Sequence, residues 1–256
     1  MPSAISADSN IPSEEFAAQC RGQMIPLGKW ISYFSVVPLD ESELQRLVYD
    51  PASAIPSKMS EIIPKLRIVL VPFLEKPARA NGSGARGPII SFQLPARAKR
   101  MVAGNLESDG ETFVFLSIHD EDVADAHYIL YQQLAELIAA RAVGSEVDAF
   151  YDLLRSELRE NVHGEIDERA WQLKDDLLRK QKDPRRETKL VAAYRRQSLQ
   201  DTLTLYLHGL CCDIDVDAGP RQLASGHIRK RLLVLKDFLP PPQGVALFPE
   251  ELPPTL

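Results

Sequence analysis

The sequence predicts an α+β fold, in which a small sheet of about four strands is followed by a mostly helical C-terminal half. Two observations carry this prediction. Short runs rich in β-branched and aromatic residues lie before residue 119, and long segments with helical periodicity follow one another after residue 120. Strands and helices that are separated along the chain are typical of α+β folds, whereas α/β folds alternate them.

Four segments of the first half have the composition of strands. They are residues 29–37, 66–74, 88–94 and 112–118. A short helix is expected after the first of them, because Asp40 can cap it and Glu43 stands three residues later, as in a capping box. The Gly-rich connection 76–87 is expected to be mobile, and residues 105–110 are interpreted as a turn before the last strand.

The second half is predicted to be a succession of helices. They span residues 125–140, 145–161, 165–182, 184–212 and 225–238. The first consists almost entirely of Ala, Ile, Leu and Tyr, so it should be buried on most sides. The next two are amphipathic, which favours packing of one face against a neighbouring element.

These elements predict one folded domain between two irregular termini. Residues 1–20 mix Ser, Pro, Ala and acidic residues without periodicity, which predicts a flexible N-terminal arm. Residues 21–240 are expected to form a single α+β domain, with a sheet part at 21–119 and a helical part at 120–240. Residues 241–256 are expected to form a Pro-rich tail.

Composition and charge narrow the function classes. The chain has 256 residues, of which 45% are hydrophobic and 26% charged, and this composition is ordinary for a globular protein. Its formal net charge of −6 argues against a dedicated nucleic-acid binder, and no apolar run approaches the ~20 residues that span a bilayer. Three cysteines, Cys20, Cys211 and Cys212, are too few for a disulfide framework. We therefore expect a cytoplasmic protein without a cofactor or a membrane partner, which binds a protein or small molecule of unknown identity.

Two of the predicted helices carry a narrow stripe of polar residues. On the first helix, Asp125, Gln132 and Glu136 fall within roughly 40° of one another, with Tyr128 beside them. On the long helix the polar residues follow an i, i+4, i+7, i+11 spacing. Two facing stripes would line a cleft, whose candidate residues are Tyr128, Gln132, Gln133, Glu136, Gln197, Asp201, Thr204 and His208.

The order of a strand and two helices with these residues resembles the minimal gluzincin branch of the zinc metallopeptidases. In that family a small sheet precedes a helix carrying His-Glu-x-x-His, and a second helix supplies a glutamate ligand. The segment Gln132-Gln-Leu-Ala-Glu136 stands at the position of the first motif, and Asp201-Thr-Leu-Thr-Leu-Tyr206 stands at that of the glutamate. The resemblance covers roughly residues 110–210.

The chemical residues of the family motif are not retained. Gln132 and Glu136 would replace the two histidine ligands. Gln133 would replace the general base, and the shorter Asp201 would replace the third ligand. Catalytic zinc needs strong donors, and hydrolysis needs a group that takes a proton from water; neutral amides provide neither. The resemblance therefore implies a peptidase-like scaffold without zinc or catalytic residues, which acts by binding a ligand or a protein.

Two alternatives stay open. Glu136, Asp201 and His208 offer two carboxylates and an imidazole, which suit Fe(II), Mn(II) or acid–base work, so the chain could be an enzyme with a rebuilt site. Alternatively, the helices at residues 145–240 bind a protein partner and the polar stripes have no role. His119, at the end of the last strand, is interpreted as a loop residue and not as a ligand.

Overall fold

In a computed structural model, strands fill the first half of the chain and helices the second, which confirms the α+β class and the helical C-terminal half. The structure describes residues 10–77, 87–120, 125–181, 186–212 and 221–248. Most of the connection 76–87, which was expected to be mobile, lies outside these ranges, and so do residues 1–9 and 249–256.

The strands are short and the later helices are long. The strands are β1 (Ile11–Pro12), β2 (Ile25–Pro26), β3 (Ile31–Ser35), β4 (Leu66–Val71), β5 (Phe73–Glu75), β6 (Ile89–Ser91), β7 (Arg100–Met101), β8 (Ala103–Ser108) and β9 (Glu111–Ser117). The helices are α1 (Ser13–Cys20), α2 (Glu41–Leu44), α3 (Asp50–Ser53), α4 (Ala126–Arg141), α5 (Ser145–Arg159), α6 (Glu168–Lys180), α7 (Lys189–Cys211) and α8 (Ser225–Phe238). A π-helical turn, Gln45–Tyr49, joins α2 to α3, and 3₁₀ turns lie at Arg21–Gln23, Ser57–Glu61 and Arg97–Lys99.

Three parallel strands form the centre of the larger sheet. The sheet has the order β2-β3-β4-β9-β8, in which β3, β4 and β9 are parallel and the two outer strands are antiparallel to their neighbours. Ile68 of β4 stands between Tyr33 and Val114. Strand β9 is buried along its whole length, as expected of an apolar strand in a parallel sheet. Because the three central strands run in the same direction, their carboxyl ends lie on the same edge of the sheet.

The edge strand β8 corrects the interpretation of residues 105–110 as a turn. It pairs with β9 along its length, with Ala103 opposite Leu116. The turn itself is Asp109 and Gly110, whose φ angles of 52° and 72° are those of a type I′ hairpin. The Asp-Gly dipeptide is the sequence signal for this turn, and the polar residues around it conceal the strand.

The smaller sheet is antiparallel and has the order β1-β6-β5-β7. Helix α1 lies in a hydrophobic core to which both sheets contribute, so the flexible arm expected at residues 1–20 is wrong for residues 13–20. Phe16, Ala17 and Cys20 are completely buried. Their apolar face is only two turns long, which is too short for the periodicity to stand out among acidic neighbours. The core around them contains Ile11, Val69, Val71, Leu74, Ile90, Leu106, Phe113 and Phe115.

The chain divides into two compact units, and the division falls inside α4. The first unit contains Met1–Ala52 and Ile63–Gln133, and the second contains Ser53–Ile62 and Leu134–Leu256. The single α+β domain expected at residues 21–240 stays a prediction.

In the second unit the helices pack in pairs, with α5 on α8, α6 on α7 and α7 on α8. Apolar residues of each helix are buried between them, among them Phe150, Leu154, Leu177, Leu203 and Leu235. Helix α7 begins at Lys189 and not at residue 184, because the Thr188 hydroxyl accepts a hydrogen bond from the backbone N–H of Val191 and caps the helix. Among the described residues, every helix is too short or too polar to reach across a lipid bilayer.

Helix α6 begins at Glu168, three residues later than expected, because Glu165 forms a parallel bridge with Gln222. Gly164, just before this bridge, has a φ of +83°. A Cβ atom on Gly164 would lie 2.3 Å from the carbonyl oxygen of Gln222, so a side chain cannot be accommodated without moving the backbone. This close approach holds the segment before α6 against the segment before α8.

Candidate functional site

The polar residues predicted to line one cleft are divided between the two units. The first unit contains Tyr128, Gln132 and Gln133, and the second contains Glu136, Gln197, Asp201, Thr204 and His208. In the first unit, the side-chain oxygen of Gln133 accepts a hydrogen bond of 3.2 Å from the amide of Asn105. This hydrogen bond joins α4 to β8. Tyr128 is 39% exposed and Gln132 is half-buried.

In the second unit, two of the four residues of the stripe on α7 contact each other. The amide of Gln197 donates a hydrogen bond of 2.8 Å to Oδ1 of Asp201. Thr204 is buried and its hydroxyl donates to the carbonyl of Gln200 at 2.9 Å, which satisfies it within its own helix. His208 is half-buried one turn further along the helix.

The alternative metal set does not assemble in this structure. Within the described part of the chain, the ligand atoms of Glu136, Asp201 and His208 do not come within 4.8 Å of one another. No hydrogen bond or ion pair joins the side chains of Glu136 and Asp201 in these described residues. The polar groups around Asp201 instead belong to a buried ionic cluster between the helices.

This cluster is centred on Arg231 of α8, and we call it the Arg231 cluster. Its members are Glu157, Glu165, Lys174, Tyr194, Ser198 and Arg231, all of them buried. Arg231 donates to Oε2 of Glu157 from Nη2 at 2.6 Å and to Oε2 of Glu165 from Nη1 at 2.7 Å. Lys174 and Tyr194 approach Oε1 of Glu165 at 3.1 Å and 2.6 Å. Ser198 accepts a hydrogen bond of 2.9 Å from Arg231.

The electrostatics of the Arg231 cluster follow from this geometry. Burial acts to raise the pKa of Glu165, but the hydrogen bonds and charge of Arg231, with the charge of Lys174, outweigh it and lower this pKa to about 2. Burial acts to lower the pKa of Arg231, and the adjacent carboxylates raise it above its ordinary value. Both side chains are therefore charged, and two carboxylates are balanced by two cations.

Asp201 lies at the margin of this cluster and is hydrogen-bonded to a neutral amide. Burial raises its pKa from 3.8 to about 7; the charges of Asp167 and Glu165 add to this effect, while the hydrogen bond from Gln197 and the charge of Arg231 oppose it. Oδ2 of Asp201 is buried and has no hydrogen-bond partner among the described residues. A carboxyl group with these properties can gain or lose a proton near neutral pH.

Sequence reasoning missed the Arg231 cluster, although one signal for Arg231 is present. On α8 it lies three residues after Ile228 and four before Leu235, and both of these residues are buried. A charged residue on the apolar face of an amphipathic helix must be paired inside the protein. The partners could not be found in the same way, because Glu157 and Glu165 come from segments far away in the sequence.

A cavity of about 220 Å³ lies in the first unit at the carboxyl ends of the parallel strands. The segment after β3 and the residues after β9 contribute to it, and Ala126, the first residue of α4, completes it. Its polar side chains are Glu43, Arg46 and His119. The ring of His119, which was interpreted as a loop residue, packs edge-on against Phe73 at 6.0 Å between centroids and also borders this cavity.

The start of α4 is fixed beside this cavity by two hydrogen bonds. Nε2 of His127 hydrogen-bonds the backbone carbonyl of Arg46 in the π-helical turn. Oδ1 of Asp125 accepts a hydrogen bond of 3.0 Å from the backbone N–H of Tyr128 and caps the helix. Ala126, which borders the cavity, lies between these two hydrogen-bonded residues.

No protein-family model, curated protein or solved structure matches this chain, so the comparisons assign it to no family and transfer no residue roles to it.

Proposed function

We propose that this chain is a binding module whose ligand site is the cavity at the carboxyl ends of β3 and β9. The observation that carries the proposal is the position of this cavity. The residues that follow both strands and the first residue of α4 border a single space. In open sheets with parallel strands, ligands bind outside the carboxyl ends of the strands.

The cavity favours a small polar ligand. Its volume of about 220 Å³ is below the ~300–1,000 Å³ of pockets for drug-sized molecules, so it accommodates only a few heavy atoms. Glu43 provides a carboxylate, Arg46 a guanidinium and His119 an imidazole. Such a set fits a molecule with both an acidic group and an amino or hydroxyl group, because each ligand group then meets a side chain of complementary character.

Ligand-detected NMR with a defined set of free amino acids and short hydroxy acids tests this proposal. We expect at least one compound to bind the wild-type protein. Binding should be lost in Arg46→Gln, which removes the cation, and in Leu39→Trp, which fills the cavity. The control is Arg97→Gln, which changes an exposed arginine of the same unit. The absence of binding by the whole set, or binding that survives both substitutions, would contradict the proposal.

We propose the likeness to gluzincin peptidases for the scaffold alone. The contact between Gln133 and Asn105 supports a structural role for that helix position, since an amide cannot act as a general base. In a casein assay with added zinc, we expect no zinc-dependent hydrolysis. Zinc-dependent proteolysis that disappears in Glu136→Ala would overturn a binding role and restore a peptidase.

A second candidate, an enzyme with an acid–base group at Asp201, is favoured by the pKa of about 7 for this carboxyl. It takes second place because Asp201 does not border the cavity at the carboxyl ends of the parallel strands. A screen with generic ester and phosphate substrates would distinguish the two candidates. Turnover with an inflection near pH 7 that is lost in Asp201→Asn would favour the enzyme, and its absence would favour the binding module.

The third possibility, a helical interaction protein, gains little from the exposed apolar residues of the second unit. Leu178 and Leu233 are 50% and 42% exposed on α6 and α8, and single exposed residues of this kind are ordinary on protein surfaces.

The cytoplasmic location expected from the composition and the three cysteines is part of the proposal for a binding module.

A further inference from the structure

Two adjacent cysteines bring their sulfur atoms together at the end of α7, in the second unit. The Sγ atoms of Cys211 and Cys212 lie within 4.8 Å of each other. Both side chains are half-buried, so a small solute can reach the sulfur atoms from the solvent. This pair of thiols is a candidate for a ligand of its own.

The backbone at the end of the helix explains why the two sulfur atoms are close. Side chains of consecutive residues within an α-helix do not face each other. Cys211 is the last residue of α7, whereas Cys212 has φ and ψ angles of −133° and 148°, which are those of an extended chain. The N–H of Cys212 still donates to the carbonyl of His208 at 2.9 Å, so the change of direction is fixed at the helix end.

The two cysteines are poorly suited to a disulfide with each other. Consecutive Cα atoms are about 3.8 Å apart, whereas disulfides usually join Cα atoms that are ~4.4–6.8 Å apart. A bond between the two sulfur atoms would therefore distort the peptide between them and would be easily reduced. Both thiols are reduced in the structure, and they can therefore act as ligands.

The distance between the sulfur atoms suits a metal ion that binds two thiolates. Since a metal–thiolate bond is about 2.3 Å long, one ion can join sulfur atoms up to about 4.6 Å apart when the three atoms are in line. Structural zinc needs four ligands. Within the described part of the second unit, no third histidine, cysteine or acidic side chain lies this close to both sulfur atoms. Thiolates select soft ions, and among these Cu(I) forms stable complexes with only two of them.

We infer that Cys211 and Cys212 form a binding site for a soft metal ion of low coordination number, Cu(I). On binding, two S–Cu bonds form and two S–H bonds break, the two protons pass to water, and the copper remains Cu(I). Hydrogen bonds of the thiols do not prevent this step, because a thiol is a weak donor and the metal replaces its proton. The site is independent of the cavity at the carboxyl ends of the parallel strands, which belongs to the first unit.

The third cysteine of the chain, Cys20, provides an internal control. It is completely buried in the first unit, and burial raises the pKa of its thiol to about 11. The thiolate is the form that binds metals and reacts with alkylating agents. Cys20 should therefore take no part in either reaction near neutral pH.

A competition experiment with Cu(I) tests the inference. The reduced full chain is titrated, without oxygen, into Cu(I) held by the coloured chelator bathocuproine disulfonate. The wild-type chain should remove a single Cu(I) ion from the chelator, which is measured as a loss of absorbance. Cys211→Ala and Cys212→Ala should each weaken binding by at least roughly a hundredfold, since the loss of an outer partner of a metal ligand alone costs ~10–100-fold. The matched control is Cys20→Ala, which removes a thiol and should leave the affinity unchanged.

Alkylation of the unsubstituted chain gives a second readout, which does not depend on the folding of any variant. Cu(I) should protect Cys211 and Cys212 from iodoacetamide, as mass spectrometry of peptides would detect, and Cys20 should stay unmodified throughout. Zn(II) should bind at least roughly a hundredfold more weakly than Cu(I), because two of the four ligands that it needs are missing.

The inference is overturned if the chelator keeps the copper, or if Cys211→Ala or Cys212→Ala binds Cu(I) like the wild type. It is equally overturned if Cu(I) leaves both cysteines open to alkylation, if Zn(II) binds as tightly as Cu(I), or if Cys20→Ala also loses the ion.

Discussion

Arg231 and Glu157 are joined by two hydrogen bonds to the same carboxylate oxygen, at 3.0 Å from Nε and at 2.6 Å from Nη2, and both side chains are excluded from solvent. Glu165 contacts the same guanidinium, with Oε2 2.7 Å from Nη1. The single arginine therefore pairs with two buried carboxylates that come from different segments of the chain. Because neither carboxylate can reach water, the packing of α8 against α5 and the segment before α6 depends on this side chain.

The first prediction concerns the loss of this arginine. Arg231→Met leaves Glu157 beside only the imidazole of His227, at 3.3 Å, and leaves Glu165 with Lys174 as its one cation among the described residues. Removing one partner of a buried ion pair costs about 3–5 kcal/mol, so the free energy of unfolding should fall by at least this amount. Urea unfolding followed by circular dichroism measures it.

Two controls separate charge from packing in this prediction. Lys230→Met changes an exposed residue of the same helix and should alter the unfolding free energy by less than about 0.5 kcal/mol. Adding Glu157→Gln and Glu165→Gln to Arg231→Met should recover part of the loss, since the uncompensated carboxylates are then neutral. If the triple variant is less stable than Arg231→Met alone, the cluster does not act through its charges.

The second prediction is a dependence of stability on pH through Asp201. Its pKa in the folded protein is about 7, above its ordinary value of 3.8, so the folded state holds the proton more tightly than the unfolded state. The stability contribution of the protonated form is therefore complete below about pH 4 and declines as the pH rises to about 7. The difference between the two pKa values corresponds to up to about 4 kcal/mol.

Asp201→Asn should remove this dependence, because an amide does not titrate. Relative to the wild type, the variant should gain unfolding free energy between pH 4 and pH 8. The control is Asp176→Asn, an exposed carboxylate paired with Lys180 on α6, which should show no such gain. Parallel pH profiles for wild type and Asp201→Asn would show that the carboxyl titrates normally in the folded state.

The sequence predicted the elements that are defined by residues close together in the chain. Helix α8 spans the residues predicted for it, 225–238, and the capping box of Asp40 and Glu43 is present with both hydrogen bonds. The parallel pairing of β3, β4 and β9 could not be predicted, because strand order depends on long-range contacts and not on composition.

For the candidate sites, the spacing of residues along the chain predicted side-chain contacts only within one helix. The contact between Gln197 and Asp201 follows from their i, i+4 relation. The partners of Arg231 lie 66 and 74 residues away, and no periodicity relates positions so far apart. The cavity beside His119 was missed because the parallel strands that define its edge were themselves not foreseen.

The third prediction tests whether α1 stabilises the first unit or only lies on it. Phe16 is completely buried and its ring lies 6.2 Å from that of Phe34. Phe16→Ala should lower the unfolding free energy by about 3–5 kcal/mol, because it removes a buried ring and leaves a cavity. Gln19→Ala, on the exposed side of the same helix, should change it by less than about 0.5 kcal/mol. Equal and small effects in urea unfolding would show that α1 is dispensable, as a flexible arm would be.

The fourth prediction concerns the approach of two backbone segments at Gly164. Its φ of +83° is a conformation that residues with a side chain rarely adopt, and a Cβ atom would lie 2.3 Å from the carbonyl oxygen of Gln222. Gly164→Ala should therefore displace the bridge between Glu165 and Gln222 and lower the unfolding free energy by about 2 kcal/mol or more.

Gly226→Ala is the matched control, since this glycine lies in α8 and a Cβ atom added there would have no described neighbour within 4 Å. There, alanine should be neutral or stabilising by up to about 1 kcal/mol, because it favours the helix. Amide hydrogen exchange distinguishes the two outcomes at residue level: the N–H groups of Glu165 and Leu223, which form the bridge, should lose protection in Gly164→Ala and keep it in Gly226→Ala. Protection that is unchanged in both variants would mean that the two segments separate readily and do not fix the position of Glu165.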